Sequence, residues 1–182
     1  MDTSRFSSIF FEARLPLHWQ GGVTPTPEEL GDWMHTNAVL LRAMAAFENR
    51  LGEPTEGGVG TGKILERLEA KIDLAILLLA KVAALGGSQP EPCSVALSAG
   101  EIAWIADDAP EVGEAISLTL HINPSLPQPL QLPASVVAVT SLAEGKQVTA
   151  SLTHLSEECQ DGLERMVFRQ HRHHIQAMRG GR

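Results

Sequence analysis

The stretch that most constrains the fold of this chain is residues 63–85, KILERLEAKIDLAILLLAKVAAL. It contains no glycine, no proline and no turn signal, so it is predicted to form one continuous helix of about six turns. Six apolar residues recur in it at alternating spacings of three and four positions: Leu65, Leu68, Ile72, Ala75, Leu79 and Val82. This pattern is a heptad seam, and a heptad seam packs against a partner helix.

A second set of apolar residues in the same stretch falls outside the seam: Ile64, Leu74, Leu77, Leu78 and Leu85. A surface helix of a monomer needs only one apolar stripe. We therefore expect several neighbours to cover this helix, from its own chain or from other copies, and the seam is predicted to be an oligomerisation surface.

Composition excludes several classes of protein. The chain has 182 residues and a net charge of −8, which argues against nucleic-acid binding because that affinity comes from Lys and Arg neutralising phosphates. Its two cysteines, Cys93 and Cys159, are far apart and lack metal-ligand spacing, so a reducing, cytoplasmic compartment is expected. No signal peptide is predicted at the N-terminus. No apolar run approaches the roughly 20 residues of a membrane span.

The first half of the chain is predicted to be an N-terminal arm followed by a helical hairpin. The arm, residues 1–22, is expected to pack on the body or to form an edge strand. A helix over 27–51 is introduced by a Thr26-x-x-Glu29 capping box. The glycine-rich loop 52–62 lets this helix and the long one fold back on each other. Asn37 lies in the apolar stripe of the first helix, where it either fixes register and oligomeric state or faces solvent.

After a break at residues 86–92 the apolar period changes from helical to alternating. Five to six short strands in about 65 residues suggest a small antiparallel barrel. Pro133 within one of them indicates an edge or a bulge. A last helix over 157–179 is predicted to begin at Ser156 and to turn Cys159, Leu163, Val167 and Ile175 or Met178 inwards. The predicted strands are 94–97, 101–106, 114–122, 130–140 and 147–155.

Three short patterns resemble catalytic or metal-binding motifs, and each has a simpler interpretation. Residues 57–63 fit the GxxxxGK part of a phosphate-binding loop, but Ile64 stands where a Ser or Thr should bind Mg²⁺ and no strand precedes it. Residues 96–100 resemble a nucleophile elbow, but a strand follows instead of a helix. His171 and His174 lie one helical turn apart without further ligands. We predict no enzyme activity, no cofactor and no metal site.

Three arginines share one face of the last helix: Arg165, Arg169 and Arg172. Such a row is typical of a solvated helix face. The alternative is a patch that binds an anion or an acidic partner.

Five segments together resemble the atypical, tetrameric subgroup of PilZ domains, small barrels associated with the bacterial second messenger cyclic di-GMP. Two of them look like parts of the barrel and its terminal helix. The other three resemble the arm and the helices outside the barrel, which assemble the oligomer in that subgroup. The segments are SVALSAGEIAWI (94–105), VTASLTHLSEECQDGLERMVFRQHR (148–172), ARLPLHW (13–19), NAVLLRAMAAFE (37–48) and RLEAKIDLAILLLAKV (67–82).

The chain departs from this family in the residues that hold the ligand. Standard PilZ domains bind cyclic di-GMP with an R-x-x-x-R pair just before the first barrel strand and with a D/N-x-S-x-x-G motif. Residues 86–94, GGSQPEPCS, contain no arginine. In the second motif Ser98 matches, whereas Ala96 replaces the Asp or Asn and Glu101 replaces the Gly. Binding in the standard mode is therefore not expected.

The sequence thus predicts an α+β protein in three parts: an N-terminal arm (1–22), a helical hairpin for oligomerisation (23–87) and a six-stranded PilZ-like barrel with a C-terminal helix (88–182). The resemblance implies a non-enzymatic, oligomeric adaptor, a tetramer with an unknown signalling partner, in cyclic di-GMP-linked regulation of motility, pili or virulence. The alternative is a direct cyclic di-GMP receptor with a non-standard site built from Ser98, Arg165, Arg169 and Arg172.

Overall fold

The computed structural model describes residues 3, 6, 8–22, 25–49, 68, 72, 75, 79, 90–123, 128–143 and 145–180. Two helices and six strands are defined within these residues. In chain order they are β1 (Phe10–Gly21), α1 (Pro27–Asn49), β2 (Pro92–Ser98), β3 (Glu101–Ala106), β4 (Ala115–Leu120), β5 (Leu130–Leu142), β6 (Gly145–Leu152) and α2 (Glu157–Gly180).

The strands form an antiparallel sheet that closes on itself in the order β1-β2-β3-β6-β5-β4. Strand β1 makes the closure, because residues 10–16 pair with β2 and residues 17–21 pair with β4. The five strands predicted after residue 86 are all present, and the arm supplies the sixth. Since β1 has a neighbour on each side, it is not an edge strand.

The core lies inside this sheet, as the alternating pattern predicts. Paired residues point to the same face of a sheet, and Trp104 pairs with both Val95 and Val148. These three side chains are at most 1% exposed. On the opposite wall Leu118 pairs with Leu132, and both are completely buried.

Pro133 lies within the β4–β5 ladder, opposite Ser117, so β5 is not an edge strand there. The bulge that the proline suggested does occur in β5, but further along, between Val136 and Ala138. The carbonyl oxygen of Pro133 accepts a hydrogen bond from the Thr153 amide at 2.9 Å.

Helix α1 begins at the predicted capping box. The Glu29 amide donates to Thr26 Oγ1 at 3.2 Å, and the Thr26 amide donates back to Glu29 Oε2 at 2.8 Å. Asn37 contradicts the prediction that it faces solvent, because it is completely buried and bonded to the backbone of Gln131 in β5. It ties α1 to the sheet.

Helix α2 packs against α1 with the predicted face. Its first turn is capped by Ser156, whose Oγ accepts the Cys159 amide at 3.2 Å. Cys159, Leu163 and Val167 are buried, with Met166 in addition. Ile175 is 37% exposed, so the prediction that it turns inwards is wrong, and the Met178 side chain lies outside the described residues.

The two helices approach closely at Gly162. A Cβ atom placed on this residue would lie 3.0 Å from the Cβ and Cδ1 atoms of Leu41 in α1. Nearby, an ion pair joins Arg42 Nη2 to Glu158 Oε1 at 3.2 Å.

Four seam residues of the predicted long helix are described: Leu68, Ile72, Ala75 and Leu79. All four are helical and exposed, with exposed fractions of 56%, 45% and 63% for Leu68, Ile72 and Leu79. Leu65, Val82, the hairpin and the phosphate-loop-like segment lie outside the described residues. No helix in the described part of the chain is long and apolar enough to cross a membrane.

Candidate ligand and interaction surface

The β2–β3 turn holds the residue that matched the second ligand motif, Ser98. This side chain is completely buried. Its hydroxyl donates to the carbonyl oxygen of Glu101 at 3.1 Å and accepts from the amides of Glu101 and Gly100 at 2.9 and 3.3 Å. These bonds build the turn, so the hydroxyl has a structural use and does not face a ligand.

The residues at the other two motif positions, Ala96 and Glu101, are not suited to bind an anion. Ala96 is completely buried. Glu101 opens β3, and its Oε2 atom is buried without a hydrogen-bond partner among the described residues. A carboxylate beside the turn opposes the approach of a phosphate.

An arginine does lie at the start of β2, although it comes from another strand. Arg14 of β1 donates from Nη2 to the carbonyl oxygen of Pro92 at 2.9 Å. Sequence reasoning missed it because Arg14 precedes Pro92 by 78 positions and only the β1–β2 pairing brings them together. It supplies one guanidinium where the standard family uses two.

The three arginines of α2 share a face but differ in their surroundings. The side chain of Arg165 is 77% exposed, and its Nη2 atom lies 3.9 Å from Asp161 Oδ2. Arg172 is exposed and holds its guanidinium 5.9 Å from the centre of the Phe168 ring. Arg169 is half-buried. Of these, Arg165 lines the groove described next.

An open groove of about 550 Å³ runs between α2, the residues before β1 and the β2–β3 turn. Ile9 and Phe168 form much of its apolar wall and are each 49% exposed. The groove brings Arg165 to the turn that contains Ser98, but not the Ser98 side chain itself. Its lining residues are Ser8, Ile9, Ala99, Glu164, Arg165, Val167 and Phe168.

Other reactive groups are placed for packing. His171 Nδ1 lies 2.9 Å from the carbonyl oxygen of Phe10, which ties α2 to β1. Burial raises the pKa of both thiols, Cys93 and Cys159. Within the described ranges no group of three or more His, Cys, Asp or Glu side chains is placed to hold a metal ion.

Comparisons with known proteins give a match to one family model and a similar solved structure. Residues 41–180 match the model of the family described as "Atypical PilZ domain, cyclic di-GMP receptor". A crystal structure of a pathogenic protein from Xanthomonas campestris, a tetrameric PilZ domain self-assembled through an unusual helical bundle, is similar with a TM-score of 0.78. The two chains are 28% identical over 96% of this chain and 94% of that one.

A second solved structure, the inhibitor of motility from Bacillus subtilis, is similar with a TM-score of 0.38 at 19% identity, over 43% of this chain and 41% of that one. No curated protein matches the chain.

Proposed function

The chain belongs to the atypical PilZ domain family, and from this premise we propose that it is a non-enzymatic, oligomeric adaptor in cyclic di-GMP-linked bacterial signalling. It works in the cytoplasm and responds through protein contacts rather than by holding the dinucleotide in the standard mode. The family is described as a cyclic di-GMP receptor, but the residues of this chain do not supply the standard ligand contacts.

The main support for this role is that the Ser98 side chain is already used within its own turn. The one side chain that matches the second motif is completely buried and bonded within its own turn. No arginine lies between Arg67 and Arg165 in the sequence, so the segment directly before β2 contains none. Cyclic di-GMP is a dianion with two guanines, and arginine suits it by gripping phosphates bidentately and stacking on aromatic rings.

Self-association is the second part of the proposal. Leu68, Ile72 and Leu79 are helical and about half exposed or more, which is unfavourable for a heptad seam in water. The Xanthomonas relative is a tetramer assembled through a helical bundle. We therefore assign the seam to a bundle between copies of this chain, with a tetramer as the assembly. The protein partner is a signalling protein, and motility, pili or virulence is the setting.

A direct receptor with a non-standard site is the second candidate. It is favoured by the position of Arg165, which lines the groove next to Ala99, and by Arg14 at the start of β2. The lining of the groove is unfavourable for a dianionic ligand, because its walls are mostly apolar and Glu164 lies beside Arg165.

Isothermal titration calorimetry with cyclic di-GMP separates the two candidates. The adaptor shows no heat of binding in the low-micromolar range. If binding occurs, Arg165→Ala, Arg169→Ala and Arg14→Ala identify the site, with Lys146→Ala as the control for loss of an exposed cation remote from the groove lining. A site on α2 loses affinity in the first two variants, and a site at the start of β2 loses it in the third.

A further inference from the structure

The charges of this chain are distributed unevenly along its sequence. The segment 165–182 contains five arginines and three histidines but no carboxylate. All 22 aspartates and glutamates precede Arg165, and the chain as a whole has a net charge of −8. A basic segment on an otherwise acidic protein attracts carboxylates to one place on its surface.

Two guanidiniums of this segment lie at the surface in weak contacts. The Arg165 side chain is 77% exposed, and its Nη2 atom lies 3.9 Å from Asp161 Oδ2. Arg172 is exposed, and its guanidinium carbon lies 5.9 Å from the centre of the Phe168 ring. Exposed contacts of this length contribute little to stability, so exchanging them for charge-assisted bonds to the carboxylates of another protein costs little.

The groove beside these arginines is suited to an apolar side chain. Its walls contain Ile9, Ala99, Val167 and Phe168, and Arg165 belongs to the same lining. Sites for small molecules enclose most of their ligand, whereas this groove of about 550 Å³ is open and Ile9 and Phe168 are each 49% exposed. Apolar walls with an arginine beside them are typical of protein interfaces, where an apolar anchor enters a pocket.

The spacing of the two arginines fits an amphipathic helix. Arg165 and Arg172 are seven positions apart, about 10 Å along the axis of α2, and Phe168 lies between them. A second helix lying along α2 presents positions i, i+3 or i+4 and i+7 on one face, which is the usual spacing of helices that bind in grooves. Two carboxylates on such a face reach the two guanidiniums, and an apolar residue between them reaches the groove.

The same face of α2 is poorly suited to a membrane or to a nucleic acid. Among the α2 side chains that the structure describes, only Phe168 and Ile175 are large, apolar and exposed, and Arg172 lies between them, so a bilayer meets no continuous apolar face. A phosphate backbone meets the exposed carboxylates of Asp161 and Glu164 as well as the arginines. A protein segment places its charges singly, which favours a protein as the occupant.

We propose that the groove together with Arg165 and Arg172 is a docking surface for an acidic amphipathic helix of the protein partner. One apolar side chain of that helix enters the groove beside Phe168, and two of its carboxylates pair with the guanidiniums. The inference rests on the proposed adaptor function, because it names the surface and the chemistry by which the adaptor holds its partner. It uses no residue of the oligomerisation seam.

Selection from a phage library of random peptides of about 20 residues, long enough to form a helix, tests the inference on the full chain. The enriched peptides are expected to carry acidic residues on both sides of an apolar one. Their affinity is then measured in solution by fluorescence anisotropy, and it is expected to fall as the salt concentration rises. A selection that enriches no peptide, or enriches neutral or basic ones, overturns the inference.

Variants of the chain locate the selected peptides on the surface. Phe168→Ser alone, and Arg165→Gln together with Arg172→Gln, are each expected to weaken binding about tenfold. Glu164 also lines the groove, and its carboxylate repels an acidic peptide, so Glu164→Gln is expected to strengthen binding about threefold. Wild-type affinity in the Phe168 variant and in the double arginine variant overturns the inference.

Two exposed residues outside the groove lining provide the controls: Lys146→Gln for the loss of a cation and Val112→Ser for the loss of an apolar side chain. Both keep the wild-type affinity, and circular dichroism shows that every variant is folded. Vesicles of phosphatidylglycerol are the competing probe. If the chain binds them through Arg165 and Arg172 and binds no peptide, the surface belongs to a membrane and the inference is wrong.

Calorimetry with cyclic di-GMP tests the proposed function separately. If the chain binds the dinucleotide with low-micromolar affinity and still loses the peptide in Phe168→Ser, the docking surface stands and the adaptor role fails. If the chain binds neither the dinucleotide nor any peptide, the adaptor role stands and the docking surface is wrong.

Discussion

Asn37 of α1 and Gln131 of β5 exchange two hydrogen bonds at the junction of helix and sheet. Asn37 Nδ2 donates to the Gln131 carbonyl oxygen at 2.7 Å, and the Gln131 amide donates to Asn37 Oδ1 at 3.0 Å. Burial raises the pKa of the Cys159 thiol of α2, and the Asn37 side chain opposes this rise. One completely buried amide therefore connects α1 to the barrel.

Replacing Asn37 is expected to destabilise the fold strongly. Asn37→Ala leaves the amide and the carbonyl of Gln131 buried without partners, which costs about 2–4 kcal/mol in the free energy of unfolding. Urea denaturation followed by circular dichroism measures it. His35→Ala, at an exposed position of the same helix, is the control and changes the midpoint little. Equal midpoints for the two variants contradict this role of Asn37.

Asn37 also shows what the sequence predicted and what it did not. The alternating apolar pattern predicted the strands, and the Thr26–Glu29 spacing predicted the start of α1, because both signals are local. Asn37 is bonded to a residue 94 positions away, and Arg14 to one 78 positions away. Local sequence patterns do not predict contacts over such distances. For this reason the sequence places Asn37 in a seam or in solvent and gives no signal for the contact of Arg14.

The same limit applies to the candidate site. The absence of arginine from residues 86–94 is a property of the sequence and needs no structure. Whether Ser98 faces a ligand depends on the conformation of the short turn between β2 and β3, which the motif does not specify. Likewise the periodicity of α2 predicted its inner residues up to Val167, but Ile175 lies beyond the part of the helix that the body covers.

The capping box of Thr26 and Glu29 makes the stability of the fold partly dependent on pH. Hydrogen bonds from the Thr26 amide, and then from its hydroxyl, lower the pKa of Glu29 below its ordinary value. Because the pKa of Glu29 is lower in the folded than in the unfolded state, the carboxylate contributes its full stabilisation above the unfolded-state pKa. This stabilisation disappears as the pH falls through the folded-state pKa. We expect the difference in urea midpoint between wild type and Glu29→Gln to shrink on acidification from about pH 7 to pH 3. A difference that stays constant contradicts the role of the carboxylate.

The close approach at Gly162 predicts a volume effect of definite sign. Gly162→Val places methyl groups against Leu41, whose atoms would already lie 3.0 Å from a Cβ, and overpacking of this kind costs about 1–3 kcal/mol. Thermal and urea unfolding measure the loss of stability. In the double variant Gly162→Val with Leu41→Ala, the loss is expected to be smaller than the sum of the losses in the two single variants. Gly31→Ala is the matched control: nothing lies within 4 Å of its new Cβ, so it stabilises α1 by about 0.5–1 kcal/mol.

The exposed seam predicts that assembly depends on its apolar residues. Leu68→Asp and Leu79→Asp together place charges in the bundle and are expected to lower the mass seen by sedimentation equilibrium, or to unfold the helical part, which circular dichroism detects. Val112→Asp, at a site that is 63% exposed in the β3–β4 connection, leaves the mass unchanged. A wild-type chain that sediments as a monomer at every concentration rules out the bundle.

Titration with cyclic di-GMP tests the adaptor role most directly. One hydroxyl hydrogen bond contributes about 1 kcal/mol, far below the roughly 8 kcal/mol that micromolar binding requires. The Ser98 hydroxyl does not offer even this bond to a ligand, because it is already bonded within its turn. We predict that isothermal titration calorimetry at moderate salt detects no binding tighter than roughly 100 μM, equivalent to about 5.5 kcal/mol. A dissociation constant in the low-micromolar range contradicts the adaptor role and makes the chain a direct receptor.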